Sequence, residues 1–285
     1  MIKSPTIVEK IIDRQANRVL QHMPSHGIAG GMVEFVVFGL KQAWACLFGG
    51  AILALIIVTR FYYPLEEFIT RYDFLFLSAI LLQLTMLVAK LETLAEAKVI
   101  LIFHVVGTLM EIFKTHVGSW SYPGEAVFHI GAVPLFSGFM YASIGSYIAR
   151  IGRIFDIRYS HYPPIWATLV LCLGIYVNFF SHHYIWDFRY ILFAITIGLY
   201  AKCVVHYRVF RFSHKMPLLL GFLLIALFIW LAENIGTFSR AWLYPGQENG
   251  WTWVSPAKLG SWYLLMIISF VLVTLVHKPK SPDEE

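Results

Sequence analysis

Apolar stretches long enough to cross a lipid bilayer recur along this 285-residue chain, and they constrain its fold more than any other feature. A helix needs about 20 apolar residues to cross the roughly 30 Å hydrocarbon layer. The chain is 58% hydrophobic and only 14% charged, whereas soluble domains are about 25% charged, so a soluble or disordered protein is excluded. We predict an all-α integral membrane protein with eight transmembrane helices. They cover residues 43–60, 73–90, 97–114, 128–149, 164–181, 189–206, 216–236 and 258–277.

The amino-terminal segment has a different pattern. Between Pro5 and Met23, apolar residues alternate with charged residues at the period of a helix, which predicts an amphipathic helix lying on the membrane surface. We therefore divide the chain into an interfacial segment (1–42), a first transmembrane unit (43–155) and a second unit with a short tail (156–285).

The distribution of lysine and arginine predicts the orientation in the membrane. If the amino terminus is inside, the cytoplasmic segments hold 16 of the 22 basic residues and the external segments hold six. Short cytoplasmic loops carry an excess of these residues, so both termini are expected in the cytoplasm. The basic residues are scattered between apolar blocks and form no contiguous face that could neutralise phosphates, which excludes nucleic acid as a partner.

The chain contains an internal duplication at a constant offset of 122 residues, without a gap from Trp44 to about Arg150. The shared signature is E-x3-T-x4-W-x-Y-P-G, and P-x3-G-x2-Y begins ten positions after its final glycine. Each predicted unit has four spans, and an even number gives both units the same orientation. We therefore predict a parallel 4+4 repeat about a pseudo-twofold axis near the membrane normal.

Glu111 and Glu233 occupy the same place in the two units and are the main candidates for a functional site. Each lies nine residues before a motif tryptophan, about 13 Å along a helix, which places the carboxyls inside the outer half of the bilayer. An ionisable group there costs several kcal/mol unless it is paired, hydrated or neutral. Two such groups in one cavity would supply the exchangeable proton that an acid catalyst or a proton-coupled carrier requires. The alternative is structural, with each carboxyl satisfied within its own helix or by a neighbouring one.

The first unit carries two further catalytic candidates. His104 and Lys114 continue the helix face of Glu111, so we expect them to tune proton transfer by the two glutamates. Ala226 and Gly236 take these places in the second unit, which predicts chemistry mostly on one side. The expected substrate-binding residues belong to the repeated motif and are Thr115, Thr237, Trp120, Trp242, Tyr122, Tyr244, Tyr141 and Tyr263.

No cofactor is predicted. The sequence has no HExxH motif, desaturase-type histidine box or paired cysteines, which are patterns that hold metals. The alternative is a metal or haem bound by histidines at membrane depth, which are His104, His129, His182, His183 and His206.

Two runs of this sequence carry a resemblance to a known family. They are MEIFKTHVGSWSYPG (Met110–Gly124) and AVPLFSGFMYAS (Ala132–Ser143). They resemble the YoaT-like family of uncharacterised bacterial membrane proteins, and the similarity covers nearly the whole chain except the amino-terminal helix. The resemblance implies a multi-pass protein of the bacterial inner (plasma) membrane, and it implies no activity.

The layout around each glutamate is also similar, more weakly, to that of membrane lycopene cyclases and carotenoid hydratases. Those enzymes place an acidic residue at a helix end, then an aromatic turn, then a proline-led helix, as Glu111, Trp120 and Pro134 do here. The cyclases follow that proline with two glutamates, whereas the corresponding places at 136–137 and 258–259 hold Phe-Ser and Lys-Leu. This similarity therefore implies an apolar-ligand pocket rather than polyene cyclisation.

Three functions are open on the sequence. The first is a membrane enzyme that acts on a lipid or isoprenoid by acid–base chemistry, and the aromatic content of 16% suits an apolar or carbocationic substrate. The second is a small-molecule or proton-coupled transporter built on the repeat. The third is a structural or assembly subunit. The expected partners are membrane lipids, an apolar small molecule such as an isoprenoid and, for an oligomer, further copies of the chain.

Overall fold

The computed structural model describes residues 6–21, 27–64 and 68–283. Over these residues the chain is mostly helical, with ten α-helices and five short strands. The helices are α1 (Ile7–Gln21), α2 (Gly27–Ala45), α3 (Leu47–Tyr62), α4 (Arg71–Val88), α5 (Leu94–His116), α6 (Phe136–Ile154), α7 (Ile165–Ser181), α8 (Arg189–Tyr200), α9 (Leu218–Phe238) and α10 (Ala257–Val276). Two antiparallel sheets consist of β1 (His129–Ile130) with β2 (Val133–Pro134), and of β3 (Arg158–Ser160), β4 (Val204–Arg208) and β5 (Ser213–Pro217) in that order.

Several of the helices could span a membrane. Among the described residues, α4, α9 and α10 are long and apolar enough to cross, and α2 with α3 adds a fourth candidate if this pair, bent by 68°, is one span. The helices α7 and α8 are apolar but shorter, and charged side chains interrupt α5 and α6. The fold is thus consistent with an all-α membrane protein, and the number of eight spans stays a prediction.

Two of the predicted spans are shorter than expected. The span predicted at 128–149 becomes helical only at Phe136, because the residues before it turn back as β1 and β2. The span predicted at 189–206 ends at Tyr200, because β4 pairs on both sides, with β3 and with β5. The β-branched valines of β4 favour this pairing over a helix.

The amino-terminal segment contains two helices rather than one. The helix α1 lies within the predicted amphipathic helix, whose limits Pro5 and Met23 fall outside the described residues. The prediction lacks α2 because Glu34 and Lys41 interrupt its apolar run. Glu34 accepts backbone hydrogen bonds from the β4–β5 turn, and Lys41 pairs with Asp13 at 2.9 Å. The predicted end of the interfacial segment therefore falls inside α2.

The helices α5 and α6 pack closely because glycines lie between them. A Cβ atom at Gly107 would lie 2.6 Å from Cγ of Tyr141, and one at Gly138 would lie 2.5 Å from Nδ1 of His104. Small residues of this kind let membrane helices approach each other. The close packing brings Tyr141 of α6 to the last turns of α5, where it interacts with Glu111.

A buried cluster of ion pairs holds the other end of α5 and α6. Arg150 pairs with Glu92 at 3.2 Å, and both side chains are fully buried. Arg153 pairs with Glu96 at 2.9 Å and with Glu9 of α1 at 2.6 Å. Removing one partner of a buried pair costs about 3–5 kcal/mol. The cluster therefore fixes α1 and the α4–α5 turn on α6, far from the candidate glutamates.

Candidate functional site

Glu111 lies near the carboxyl end of α5 and is only 3% exposed. Trp120 Nε1 and the hydroxyl of Tyr122 donate hydrogen bonds to its Oε2, at 2.6 and 2.7 Å. Tyr141 of α6 interacts with the same carboxyl. The W-x-Y segment that follows α5 therefore folds back over the glutamate and supplies two of its partners.

Glu233 has the matching position in α9 and is also 3% exposed. The hydroxyl of Tyr244 donates to its Oε1, so the contact between Tyr122 and its glutamate is repeated at the same spacing of eleven residues. Trp262 Nε1, from α10, donates to Oε2. The repeat does not reveal Trp262, because Met140 occupies its matching place in the first unit.

A glycine explains why the two glutamates use different tryptophans. Trp242, which matches Trp120, packs against Gly236, where a Cβ atom would lie only 2.1 Å from Cη2 of the ring. The matching position in the first unit is Lys114, and a lysine there excludes the ring. Trp120 therefore turns toward Glu111 and donates a hydrogen bond to it. The tryptophan that donates to Glu233 is Trp262 of α10.

The two motif segments meet each other directly. The backbone N–H of Ser121 donates to the carbonyl of Leu243, and the reverse bond is also present, both at 2.9 Å. These residues occupy the same place in the duplicated sequence, 122 positions apart. Beside this bridge, the rings of Trp120 and Tyr244 pack with centroids 6.1 Å apart and planes at 82°. Each ring also donates a hydrogen bond to one glutamate, so this ring pair connects the two carboxyl groups.

A small apolar cavity lies between α5, α6, α9 and α10. Tyr141 and Trp262 line it, and each of them also contacts one of the glutamates. The other lining side chains are mainly apolar, among them Phe103, Met110 and Leu265. The cavity has room for about one water molecule, so a larger ligand would require its side chains to move apart.

Lys258 is a second residue at this site, besides Trp262, that sequence reasoning missed. It lies in the first turn of α10, and its Nζ is 4.4 Å from the ring centroid of Tyr244 and 5.9 Å from that of Trp120. A cation over the face of such rings is attracted by their π electrons. The sequence offers one signal, the lysine in place of a cyclase glutamate, but only the fold brings it over the ring pair.

His104 and Lys114, expected beside Glu111, have other neighbours. His104 packs on Phe139 of α6, with ring centroids 4.4 Å apart. Lys114 Nζ lies 2.8 Å from Nε2 of His183 and 4.1 Å from the centre of an aromatic ring of α7. The three residues of the predicted helix face, His104, Glu111 and Lys114, therefore lie in three different environments.

The remaining predicted residues lie beside the glutamate site rather than in it. Thr237 Oγ1 donates to the backbone carbonyl of Glu233 at 3.0 Å and accepts from Trp251 Nε1 at 3.1 Å. Thr115 Oγ1 is buried without a hydrogen-bond partner among the described residues. Tyr263 packs on aromatic rings of α8 and α9.

The histidines are spread over several elements. His129 Nδ1 contacts the backbone carbonyl two residues later, and His206 contacts a serine of β3. His182 and His183 lie together at the end of α7, with ring centroids 4.1 Å apart. In the part of the chain that the structure describes, no three histidine, cysteine or acidic side chains converge as a metal site.

Comparison with known proteins identifies relatives of this chain. The family model described as "Protein of unknown function (DUF817)" matches residues 34–270. The chain is 43% identical over 247 residues to the "Uncharacterized protein YoaT" of Bacillus subtilis (strain 168), in an alignment that covers 87% of this chain and 93% of that protein. No solved structure matches the chain. The resemblance to the YoaT-like family is thereby confirmed.

Proposed function

The chain belongs to the DUF817 family, and from its site we propose that it is a membrane enzyme that performs acid–base chemistry on an isoprenoid or another apolar lipid. Family membership assigns no activity, because the family and the relative are described only as unknown and uncharacterised. One observation carries the proposal. Two buried carboxyl groups, each held by a tyrosine hydroxyl, are connected through Tyr141 and Trp262 to one apolar cavity that these two residues line.

The proposed framework is a parallel repeat of two four-helix units, α3–α6 and α7–α10, in a bacterial inner membrane with both termini in the cytoplasm. The reciprocal bridge between Ser121 and Leu243 supports it, because residues that meet their own counterparts lie at a twofold axis. The repeated contact between tyrosine and glutamate supports it further. In this framework eight helices cross the membrane, and the carboxyls lie beneath its outer surface.

Proton transfer at this site would use the two glutamates as acid and base. The carboxyls of Glu111 and Glu233 interact with each other, and Tyr141 interacts with both. In each turnover one carboxyl would donate a proton while the other accepts one. The cavity lining is mainly apolar, and the aromatic rings would stabilise positive charge that develops on an isoprenoid chain.

The proposal is tested with lipid extracted from the purified protein and with the variants Glu111→Gln and Glu233→Gln. Glu125→Gln is the matched control, since Glu125 is exposed in the loop that follows the first motif. We expect mass spectrometry to identify a co-purifying isoprenoid or other apolar lipid. Wild type and control should convert this lipid, and each site variant should be slower by at least about 100-fold, the usual contribution of a general acid or base.

Other outcomes would contradict the proposal. If Glu111→Gln and Glu233→Gln converted the lipid at the wild-type rate, acid–base roles for the glutamates would be ruled out. Solute or proton flux in proteoliposomes that these variants stop, without lipid conversion, would favour a transporter. Full complementation of a deletion strain by both variants would favour a structural subunit.

A further inference from the structure

A group of cations lies where α5 ends and α10 begins. Lys114, Arg189 and Lys258 lie close enough to repel one another, while Asp187 attracts Lys114 and Glu233 attracts Lys258 without direct contact. Asp187 is engaged by Arg189, with Oδ2 2.6 Å from Nε. Within the ranges that the structure describes, no carboxylate lies within 4.0 Å of the ammonium of Lys114 or Lys258. Two lysines therefore face this region without an ion-pair partner.

Neutral groups hold both lysines in place. Lys114 is only 4% exposed, and its Nζ contacts Nε2 of His183 and the ring of Phe179. Partial burial and the positive charges of Lys114 and Lys258 lower the pKa of His183 to about 4, so its imidazole is neutral near pH 7 and accepts the hydrogen bond. Lys258 lies over the ring of Tyr244. These contacts position the two lysines without a carboxylate in direct contact.

The order of residues along the helices places these charges at one end of the site. Along α5, residues Phe103 to Met110 line the cavity, Glu111 follows, and Lys114 lies about one turn further. Along α10 the order is reversed, because Lys258 comes first and the cavity-lining residues follow it. The lysines therefore border the carboxyls on the side away from the apolar cavity.

We propose that Lys114 and Lys258 bind the phosphate head group of an isoprenoid phosphate, whose hydrocarbon chain extends past the glutamates into the cavity after the lining side chains move apart. This inference rests on the proposed function and names the substrate class. A phosphate monoester carries about −1.5 to −2 charge at pH 7, so its binding would hold both lysines in the ammonium form and neutralise them. Lysine binds phosphate as a point charge. A fatty-acid carboxylate has a single charge and would leave one lysine unmatched.

The test measures binding to the full chain in nanodiscs of neutral phosphatidylcholine. We expect farnesyl phosphate to bind at least about tenfold more tightly than farnesol, since tenfold is about 1.4 kcal/mol. Lys114→Met and Lys258→Met should each lose that preference without changing the affinity for farnesol. Lys258→Arg should retain it. Lys278→Met, which changes an exposed lysine of the carboxyl-terminal tail, is the matched control and should bind like wild type.

Several results would overturn the head-group site. These are equal affinities for farnesyl phosphate and farnesol, unchanged preference in both methionine variants, and tighter binding of palmitate than of farnesyl phosphate. Competition by inorganic phosphate at the affinity of farnesyl phosphate would indicate a free-phosphate site instead. If Lys258→Met does not fold, the binding measurements on Lys114→Met decide whether the head-group site exists. This variant remains informative because Lys114 lies outside the ring pair of Trp120 and Tyr244. Binding is measured without turnover, so full activity in Glu111→Gln with intact phosphate preference would remove only the catalytic proposal.

Discussion

Gly236 determines where Trp242 packs, and its replacement by alanine tests how tightly the site is built. In Gly236→Ala the new Cβ would lie 2.1 Å from Cη2, 2.5 Å from Cζ3 and 2.7 Å from Cζ2 of Trp242. All three atoms belong to one rigid indole, so the whole ring must move. Overpacking of this kind costs about 1–3 kcal/mol.

The expected net effect is smaller, because alanine favours a helix over glycine by up to about 1 kcal/mol. We expect Gly236→Ala to destabilise the protein by about 1–2 kcal/mol, which lowers the Tm by roughly 2–8 °C in a chain of this size. Gly198→Ala is the matched control, since Gly198 lies inside α8 with nothing within 4 Å of the added Cβ. That variant should be as stable as wild type or slightly more stable.

The assay is thermal unfolding in detergent, followed by intrinsic fluorescence for each variant. A second background, Trp242→Leu, removes the ring that the new methyl group meets. Because residues in contact are not additive, Gly236→Ala should cost little in that background. The packing argument is refuted if Gly236→Ala is as stable as Gly198→Ala, or if it causes the same loss with and without the tryptophan.

Two further predictions concern the ion-pair cluster at the other end of α5 and α6. Burial raises the pKa of Glu9, but the charge of Arg153 and hydrogen bonds from a threonine outweigh it and hold that pKa below its usual value. Docking of α1 is then fully stabilised above about pH 4.3 and weakens as the pH falls through the lowered pKa. Hydrogen exchange in α1, corrected for its intrinsic pH dependence, should show this loss of protection as the pH falls from about 4.3 to about 3 in wild type but not in Glu9→Gln, and constant protection in wild type would contradict it. Arg150→Met and Glu92→Leu should each cost about 3–5 kcal/mol in thermal unfolding, whereas the double variant should recover most of that loss; additive losses would contradict a direct pairing.

The residues of the motif were identifiable from the sequence, but their contacts were not. Glu111, Trp120 and Tyr122 lie within one motif, and the structure joins all three by hydrogen bonds, whereas the sequence predicted substrate-binding roles for Trp120 and Tyr122. The offset of 122 residues relates this contact to the one between Tyr244 and Glu233. The spacing of eleven residues crosses a helix end and a turn, and it does not tell which side chain turns toward the carboxyl.

Contacts between distant helices were not predictable either. Trp262 reaches its glutamate from α10, and Lys258 reaches the ring pair from the same helix. Lys114 meets His183 of a different unit rather than the glutamate three residues before it. Helical periodicity gives the face on which a residue lies, but the neighbour of that face depends on how whole helices pack. The end of the span predicted at 189–206 was missed for a related reason, since the pairing partners of β4 are far away in sequence.

The bridge between Ser121 and Leu243 has a consequence for how such a protein arises. Its hydrogen bonds use only backbone atoms, so in the proposed repeat two separate, identical chains of one unit each could form the same contact as a homodimer. Identical subunits, however, must carry the same residue at both matched positions. In that framework only a fused chain can hold Lys114 on one side and Gly236 on the other. Covalent fusion would thus allow one half to keep a lysine while the other half gives that space to a tryptophan.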